Sequence, residues 1–353
     1  MRPLPLQETL LDWYARHGRR LPWRETRDPY HIWVSEIILQ QTRIAQGTDY
    51  YLRFVERFPD IASLAAASED QVLKQWQGLG YYSRARNLHR AAQLLAEQFD
   101  GQFPRSYHQV RSLPGIGDYT AAAICSIAYR MPYAVLDGNV YRVLSRYFDL
   151  DTPIDTTAGK KLFTRLANEQ LDQDRPGDYN QAIMDFGALQ CTPSLPECPR
   201  CPLRPHCRAQ AAGTVALRPA KSKRSEPSPR YLHYFHIVSP EGTWVRRRTE
   251  DDIWRGLYEF PRIETPEDLP AEQMLSDVRY KALIRSAATA KVLETLPPVK
   301  HLLSHRVLHI RFYRVSIPTP GFSLEGYVPA TEEDLSHLAF PRPLAAYLER
   351  SAR

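Results

Sequence analysis

The feature that most limits how this 353-residue chain can fold is a change of period part-way along it. Through residues 7–190 apolar side chains recur every three or four positions, as in "LQETLLDWYARHG" and "SRARNLHRAAQLLAEQF". That is the spacing of helices with one buried face. No strand-like alternation interrupts it, and the breaks fall in short loops such as "LPWRETRDPY", "QGLGYYS", "SLPGIGDYT" and "LDGNV". From residue 231 the texture becomes strand-like, in "YLHYFHIV", "TWVRRR" and "RVLHIRFYRVSI", with helical pieces at "TPEDLPAEQML" and "PRPLAAYLER". The expectation is a mainly α domain over 1–212 and a smaller α+β domain over 231–353. No run of 18 apolar residues predicts a membrane span. The start, "MRPLPLQETLLDWYARHGRR", lacks the apolar core and small-residue cleavage site of an export signal, so a cytoplasmic location is the default expectation.

Charge is uneven. The net value is +6, yet residues 231–353 carry sixteen basic and sixteen acidic side chains. The excess concentrates in "GTVALRPAKSKRSEPSPR" (213–230), with five Lys or Arg against one Glu. This stretch has little to bury and reads as a semi-extended linker suited to tracking phosphates.

Four of the five cysteines lie within 17 residues, spaced C-x6-C-x2-C-x5-C: Cys191, Cys198, Cys201 and Cys207. In a reducing compartment such clustering points to a metal centre before disulfides. The spacing by itself fits zinc or an iron–sulfur cluster. Either way sulfur fills every ligand position and none is open to substrate, so the role is structural. Cys125, in "AAAICSIAY", reads as a small buried hydrophobe.

Three further sites stand out. In "LPGIGDYTAAAICSIA" (113–128), Gly115 and Gly117 allow a tight turn whose N–H groups face outward, and the helix opening near Asp118 or Tyr119 presents its positive end to a phosphate. In "HIWVSEIILQQTR" (31–43), Glu36 sits among Ile32, Trp33, Val34, Ile37, Ile38 and Leu39, where an unpaired ionised acid is costly and burial raises its pKa. Asp137, in "AVLDGNVYRVL", precedes a helical run. As residue types alone, Asp137 reads as a helix cap and Glu36 as a core-edge acid reaching water.

Taken together, "LPGIGDYTAAAI", "VLDGNVYRVL" and the cysteine spacing resemble the helix-hairpin-helix DNA glycosylase superfamily over residues 1 to about 210. "LPWR" (21–24), "SEIILQQTR" (35–43), "GLGYYSRARNL" (78–88) and the extra C-terminal domain narrow this to a resemblance to the adenine DNA glycosylases, the MutY family. The resemblance implies a 4Fe–4S cluster on the four cysteines and an adenine extruded from the duplex before its N-glycosidic bond is hydrolysed. It implies that Glu36 protonates the base, for instance at N7, while an ionised Asp137 stabilises the oxocarbenium ion, and it counts Asn139 among the residues that bind substrate DNA. It assigns Gln41 to the orphan base, Tyr81 to a wedge in the opposite strand, and Arg24 and Tyr119 to the adenine pocket, with Trp23 in the core.

The C-terminal domain resembles a Nudix fold through "DDIWRGLYEFP" (251–261), without the glutamate-rich metal box, so no nucleotide hydrolysis is expected. "HLLSHR" (301–306) resembles the family's Phe-Ser-His loop that probes 8-oxoguanine, here as Leu303, Ser304 and His305. Leu303 can wedge but has no stacking face. The expected partner is duplex DNA carrying adenine opposite 8-oxoguanine or guanine, met by a monomer and, in the cell, at the nucleoid. Strand cleavage is not expected: the hairpin position where lyases of the superfamily carry Lys is Tyr119, and Tyr141 follows Val140. The rivals are an endonuclease III-like pyrimidine-lesion glycosylase with lyase activity and a catalytically silent lesion binder. The missing Lys and the extra domain weigh against the first, and the pair Glu36 and Asp137 against the second.

Overall fold

A computed structural model describes residues 6–222, 227–287, 289–303 and 306–351. Twelve α-helices follow one another among the described residues up to 212: α1 (Leu6–His17), α2 (Pro29–Leu39), α3 (Ile44–Arg57), α4 (Ile61–Ala66), α5 (Glu69–Gln75), α6 (Ser83–Gln98), α7 (Tyr107–Ser112), α8 (Asp118–Tyr129), α9 (Gly138–Phe148), α10 (Thr157–Glu169), α11 (Pro176–Leu189) and α12 (Arg208–Ala212). The chain divides into two units, Met1–Ala66 with Asn87–Lys223, and Ala67–Arg86 with Arg224–Arg353. Residues 67–86, α5 and the turn after it, thus group with the C-terminal part of the chain. No local pattern in the sequence signals this.

In the first unit the helices start where the sequence offers caps. Asp28 accepts from Tyr30 N at 2.8 Å with Pro29 in the first turn of α2, and Thr156 caps α10 through Gly159 N at 3.1 Å. One core joins Leu10 and Trp13 of α1 to Val143 and Leu144 of α9, Phe163 of α10 and Phe186 of α11. Helix α2 is apolar on nearly every side, with Ile32, Trp33, Val34, Ile37 and Ile38 all buried. A helix of that kind belongs in the interior rather than on the surface.

Residues 213–222 differ from the expected spacer. They fold back onto the first unit: Arg146 Nε donates to Val215 O at 3.1 Å, and Ile154 N donates to Ala220 O at 3.1 Å. Thr214 Oγ1 and Arg218 Nε reach Asp149 Oδ1 at 2.6 and 2.9 Å, and Ser222 Oγ reaches Asp155 Oδ2 at 2.7 Å. The polar composition that suggested a semi-extended linker is what lets it pair with these carboxylates.

The second unit holds a mixed sheet of β1 (Ser228–Ser239), β2 (Gly242–Arg247), β3 (Tyr258–Glu259), β4 (Arg262–Thr265), β5 (Lys291–Thr295), β6 (Val299–Leu302), β7 (Arg306–Ser316) and β8 (Val328–Ala330). Its spine is the parallel pair β1 and β7, in register from Ser228↔Arg306 to Val238↔Ser316. Order along the main path is β3-β2-β1-β7-β5, with β4 on β1, β6 on β7 and β8 on β2. The helices are α13 (Ala271–Ser276), α14 (Val278–Leu283), α15 (Glu332–His337) and α16 (Arg342–Ser351). One core contains Phe235, Ile237, Tyr313 and Val315 packed with Met274 and Tyr280 of α13 and α14. Alternate residues of the same strands meet α16, where Tyr347 stacks on Phe312 at 4.4 Å. Helix α13 starts only at Ala271, later than the run "TPEDLPAEQML" suggested, because Pro270 occupies its N-cap. Glu259, fully buried, accepts from Arg248, from Arg246 Nε at 3.0 Å and from Tyr234 at 3.1 Å. Among the described residues it is an enclosed ion pair, not a free ligand.

Asp149→Asn keeps a residue that tolerates the left-handed φ of +52° at this position but removes the charge facing Thr214 and Arg218. It should lower unfolding free energy by about 1–2 kcal/mol, and trypsin should then cut after Lys221 faster than in the parent.

Candidate active site

Helix α2 carries Glu36 inward, 8 % exposed, onto a cavity of about 650 Å3 that Arg24, Tyr119, Asp137, Asn139 and Gln181 also line. Such a volume is in the range of small-molecule sites. Burial is the main reason the Glu36 carboxyl is pushed up to about 7, and the nearby charge of Asp137 adds to it. A hydrogen bond with Tyr119 and the charge of Arg24 pull the other way. The Tyr119 hydroxyl also lies 3.3 Å from Met184 Sδ. It has one proton for two acceptors, and an ionised Glu36 would outcompete sulfur for it. Burial and the Glu36 charge hold Tyr119 well above the ordinary phenol range, so it remains neutral.

Asp137 caps α9. Its Oδ1 accepts from Asn139 N at 2.9 Å and Val140 N at 2.8 Å, and its Oδ2 accepts from Asn139 Nδ2 at 2.7 Å. Burial pushes this carboxyl up from its ordinary value, against the pull of those three donors. Three N–H groups pointing at two oxygens match an acceptor-only carboxylate. Cap and site residue are therefore one and the same.

Two arginine systems hold the frame, and of their members sequence reasoning named only Arg24. Arg24 is pinned by Asp185 of α11, with Nη1 and Nη2 donating at 2.7 and 2.9 Å. Arg19 reaches the same carboxylate through its backbone N at 2.9 Å and Nε at 3.0 Å. Burial alone would push Asp185 up, but the Arg24 and Arg19 hydrogen bonds reverse this and hold it below the usual carboxylate range. An acid inside the apolar run "AIMDFGAL" is the same signal that drew attention to Glu36, and could have found it. The second system is Arg142 and Arg146, one turn apart on α9. Arg142 Nη2 donates to Asn139 Oδ1 at 2.8 Å, while its Nε donates to Cys191 O at 2.7 Å. Arg146 donates to Thr192 O at 2.7 Å, Pro193 O at 2.9 Å and Cys191 Sγ at 3.4 Å. A hydrogen-bonded chain thus runs from Asp137 through Asn139 and Arg142 to the cysteine loop.

Cys191, Cys198, Cys201 and Cys207 come together at this loop, all half-buried and none in a disulfide. Burial pushes Cys201 up to about 12 and raises Cys198 and Cys207, and each of these three also feels Cys191. Thiols near enough to feel one another's charge, on a loop already pinned by Arg146, suit a group that displaces their protons on binding. Among the described residues no group of three or more His, Cys, Asp or Glu is placed to hold a single metal ion. Cys125 is fully buried, and burial pushes its thiol up to about 11.

Helices α7 and α8 form the hairpin around residues 113–117. Gly115 needs its glycine twice: φ is +76°, and a Cβ would lie 2.7 Å from Asn87 Cβ. Gly117 has an ordinary φ of −90° and nothing within 4 Å of a would-be Cβ. It caps α8 with no side-chain partner for the free N–H groups, and the open space beside it would admit a phosphate. Gln41 is exposed and strained, at φ +58°, and lies on the turn after α2. Tyr81 is also strained, at φ +50°, and 52 % exposed, in the second unit. Non-glycine residues held at positive φ cluster at functional sites. In the second unit Leu303 N donates to Arg306 O at 2.8 Å and closes the β6–β7 turn. Leu303 is half-buried, whereas its neighbour Leu302 is 69 % exposed. Ser304 and His305 lie outside the described residues. Trp23 is buried, with its ring edge-on to Tyr51 at 5.2 Å, and also lines the cavity.

A helix-hairpin-helix with a buried acid and a capping Asp over one cavity is the arrangement expected of a base-excision DNA glycosylase. The family model for the HhH-GPD superfamily of base excision DNA repair proteins matches residues 34–169, and the NUDIX domain model matches 233–350. The solved structure of a thermostable thymine-DNA glycosylase aligns with TM-score 0.55 and 28 % identity, covering 58 % of this chain and 95 % of that one. Relatives that are adenine DNA glycosylases match along most of the chain. The Buchnera aphidicola (subsp. Baizongia pistaciae) protein is 35 % identical over 88 % of this chain and 86 % of its own length, and the human protein is 32 % identical over 92 % and 68 %. The chain belongs to the adenine DNA glycosylase family and is an enzyme of base excision repair. No helix among the described residues is long and apolar enough to cross a membrane.

Asp185→Asn would leave Arg24, whose side chain is 12 % exposed, without its charge partner. The expected cost is about 3 kcal/mol or more, because a buried charge loses its counterion. Urea denaturation of parent and variant measures it.

Proposed function

We propose that this chain hydrolyses the N-glycosidic bond of adenine paired with 8-oxoguanine, or with guanine, in duplex DNA. The observation that carries the mechanism is the pair Glu36 and Asp137 on one cavity, the first with its carboxyl pushed up to about 7 by burial and the second surrounded by N–H donors. Near neutral pH a large fraction of Glu36 keeps its proton. That proton passes to N7 of the extruded adenine, and the C1′–N9 bond breaks with its electron pair leaving on the base. The sugar becomes an oxocarbenium ion, which the Asp137 carboxylate stabilises in a poorly solvated site. Water then adds to C1′ and gives its proton to the Glu36 carboxylate, which restores the acid. Arg24 and Gln181 supply polar edges to the base in a pocket where Trp23, Ile32 and Met184 are among the apolar walls.

Tyr119, neutral and at the hairpin position, offers no amine to attack the sugar, so the reaction ends at an abasic site with the strand intact. Gly115 and Gly117 hold a phosphate at the start of α8, Gln41 fills the space beside the orphan base, and Tyr81 wedges into the opposite strand. Leu303, Ser304 and His305 probe the lesion. Cys191, Cys198, Cys201 and Cys207 would hold a 4Fe–4S cluster, whose contribution when bound is structural: it closes the loop that Arg142 and Arg146 grip. The enzyme works as a monomer in the compartment that holds the chromosome.

The test offers duplexes with adenine opposite 8-oxoguanine and scores free adenine and strand breaks separately. Free adenine with intact strands is expected, and strand breaks or the absence of free adenine would overturn the reading. Glu36→Gln should still bind the duplex but release adenine about 100- to 10,000-fold more slowly, the worth of a general acid. The sign of the pH dependence follows from a working form that is protonated: the single-turnover rate should fall as pH rises through about 7. A rate rising across that range removes Glu36 from the acid role.

A further inference from the structure

The turn that displays Tyr81 is built on the C-terminal part of the chain. From Trp76 to Tyr82 the sequence is "WQGLGYY", and Gly78, Gly80 and Tyr81 all have positive φ, at +98°, +75° and +50°. Trp76, Leu79 and Tyr82 are buried, so Tyr81 is the large side chain of this turn that stands out. Trp76 Nε1 donates to Gly80 O at 3.2 Å, and Gly78 N donates to the Tyr82 hydroxyl at 3.2 Å. That hydroxyl donates onward to Phe340 O at 3.3 Å, and Phe340 N donates to Gln77 Oε1 at 3.2 Å.

Helix α5, which leads into the turn, is clasped in the same way. Lys74 Nζ donates to Leu338 O at 2.9 Å. Arg247 Nη2 lies 2.7 Å from Glu69 Oε1 and 3.2 Å from Asp70 Oδ1. On the far side of the turn, Arg86 Nη1 donates to Arg255 O at 2.6 Å. The approach is close enough to require a glycine: at Gly256, with φ +81°, a Cβ would lie 3.2 Å from Glu69 Oε1 and 3.3 Å from Leu73 Cδ1. Gly256 belongs to "DDIWRGLYEFP", the stretch that marks the Nudix-like domain.

We propose that the Nudix-like domain positions the Tyr81 wedge, with Arg247 and Gly256 as positioning residues that seat α5 and hold the strained turn outward. The proposal rests on the reading of Tyr81 as a wedge. A residue at φ +50° relaxes unless its surroundings over-determine it. Here what over-determines it are the strap at 338–340, the Arg247 clasp and the Gly256 seat. The domain then does more than probe the lesion with its own loop: it also fixes how the opposite strand is opened.

The experiment uses the full chain and a duplex with 2-aminopurine next to 8-oxoguanine. The paired adenosine carries a 2′-fluorine, which destabilises the oxocarbenium ion and keeps the duplex intact. Parent enzyme should raise the 2-aminopurine emission as the neighbouring stack opens, and Tyr81→Ala should abolish the rise. Arg247→Ala and Gly256→Ala should each cut the rise to less than half and weaken binding about five-fold, while Arg247→Lys restores most of it. The saturating single-turnover rate on unmodified substrate should stay within about two-fold for Arg247→Ala, a split that general damage to the fold would not give. If Tyr81→Ala abolishes the rise but Arg247→Ala, Gly256→Ala and Glu69→Ala all keep it, the positioning role is wrong and the wedge stands. If Tyr81→Ala keeps the rise, the wedge reading falls and takes the positioning role with it.

Discussion

The withdrawal of one carboxyl, that of Glu36, from water is the constraint on which the rest of the first unit depends. Helix α2 is apolar nearly all round, so it must run through the interior, and a residue on its inner face loses solvent whatever its charge. An acid there either pairs with a cation or takes up a proton. The cation within reach is Arg24, and Arg24 is committed to Asp185. The Arg24–Asp185 pair keeps positive charge from fully cancelling the burial of Glu36. The Asp137 charge acts in the same direction. Two carboxyls thus share a cavity: burial raises both, and three N–H donors oppose that rise at Asp137.

Helix α9 is the common frame for that chemistry. Its N-terminus presents Asp137, its first turns carry Asn139 and Arg142, and Arg146 one turn further on grips the cysteine loop. A rigid helix spaces these groups so that the loop and the cap cannot shift independently. The elements assigned to the DNA strands are of another kind. Gln41 and Tyr81 sit on turns at positive φ, where the backbone is strained and the side chain is pushed outward. In the proposed reading the reacting groups are mounted on helices and duplex contact on turns.

Much of this was legible in the chain itself. The change of period at 231 marks the passage from helices to a sheet, because a buried helix face and a buried strand face impose different spacings. Glu36 declared itself by its apolar company, and Asp137 by its place before a helix. Asp185 is readable by the same argument in "AIMDFGAL". The stretch 213–222 misled, since lysines, prolines and serines look alike in a free spacer and in a strand of chain tied to Asp149 and Asp155. Gly117 looked like a second steric necessity and has an ordinary backbone, so its use lies in the open space beside it.

The sequence by itself determined what is local: which segments are helical, where they are capped, which acid is surrounded by apolar side chains, and that four thiols lie close along the chain. Those properties follow from neighbours within a few residues, and period, propensity and spacing report them. Only the tertiary structure decided that Asp185 occupies the Arg24 guanidinium, that Arg142 ties Asn139 to the Cys191 carbonyl, and that α5 with the Tyr81 turn is seated on Gly256 and the 338–340 strap. Each of these joins residues 45 or more positions apart, and no periodic signal spans such a distance. They are set by which surfaces close on one another when the core forms.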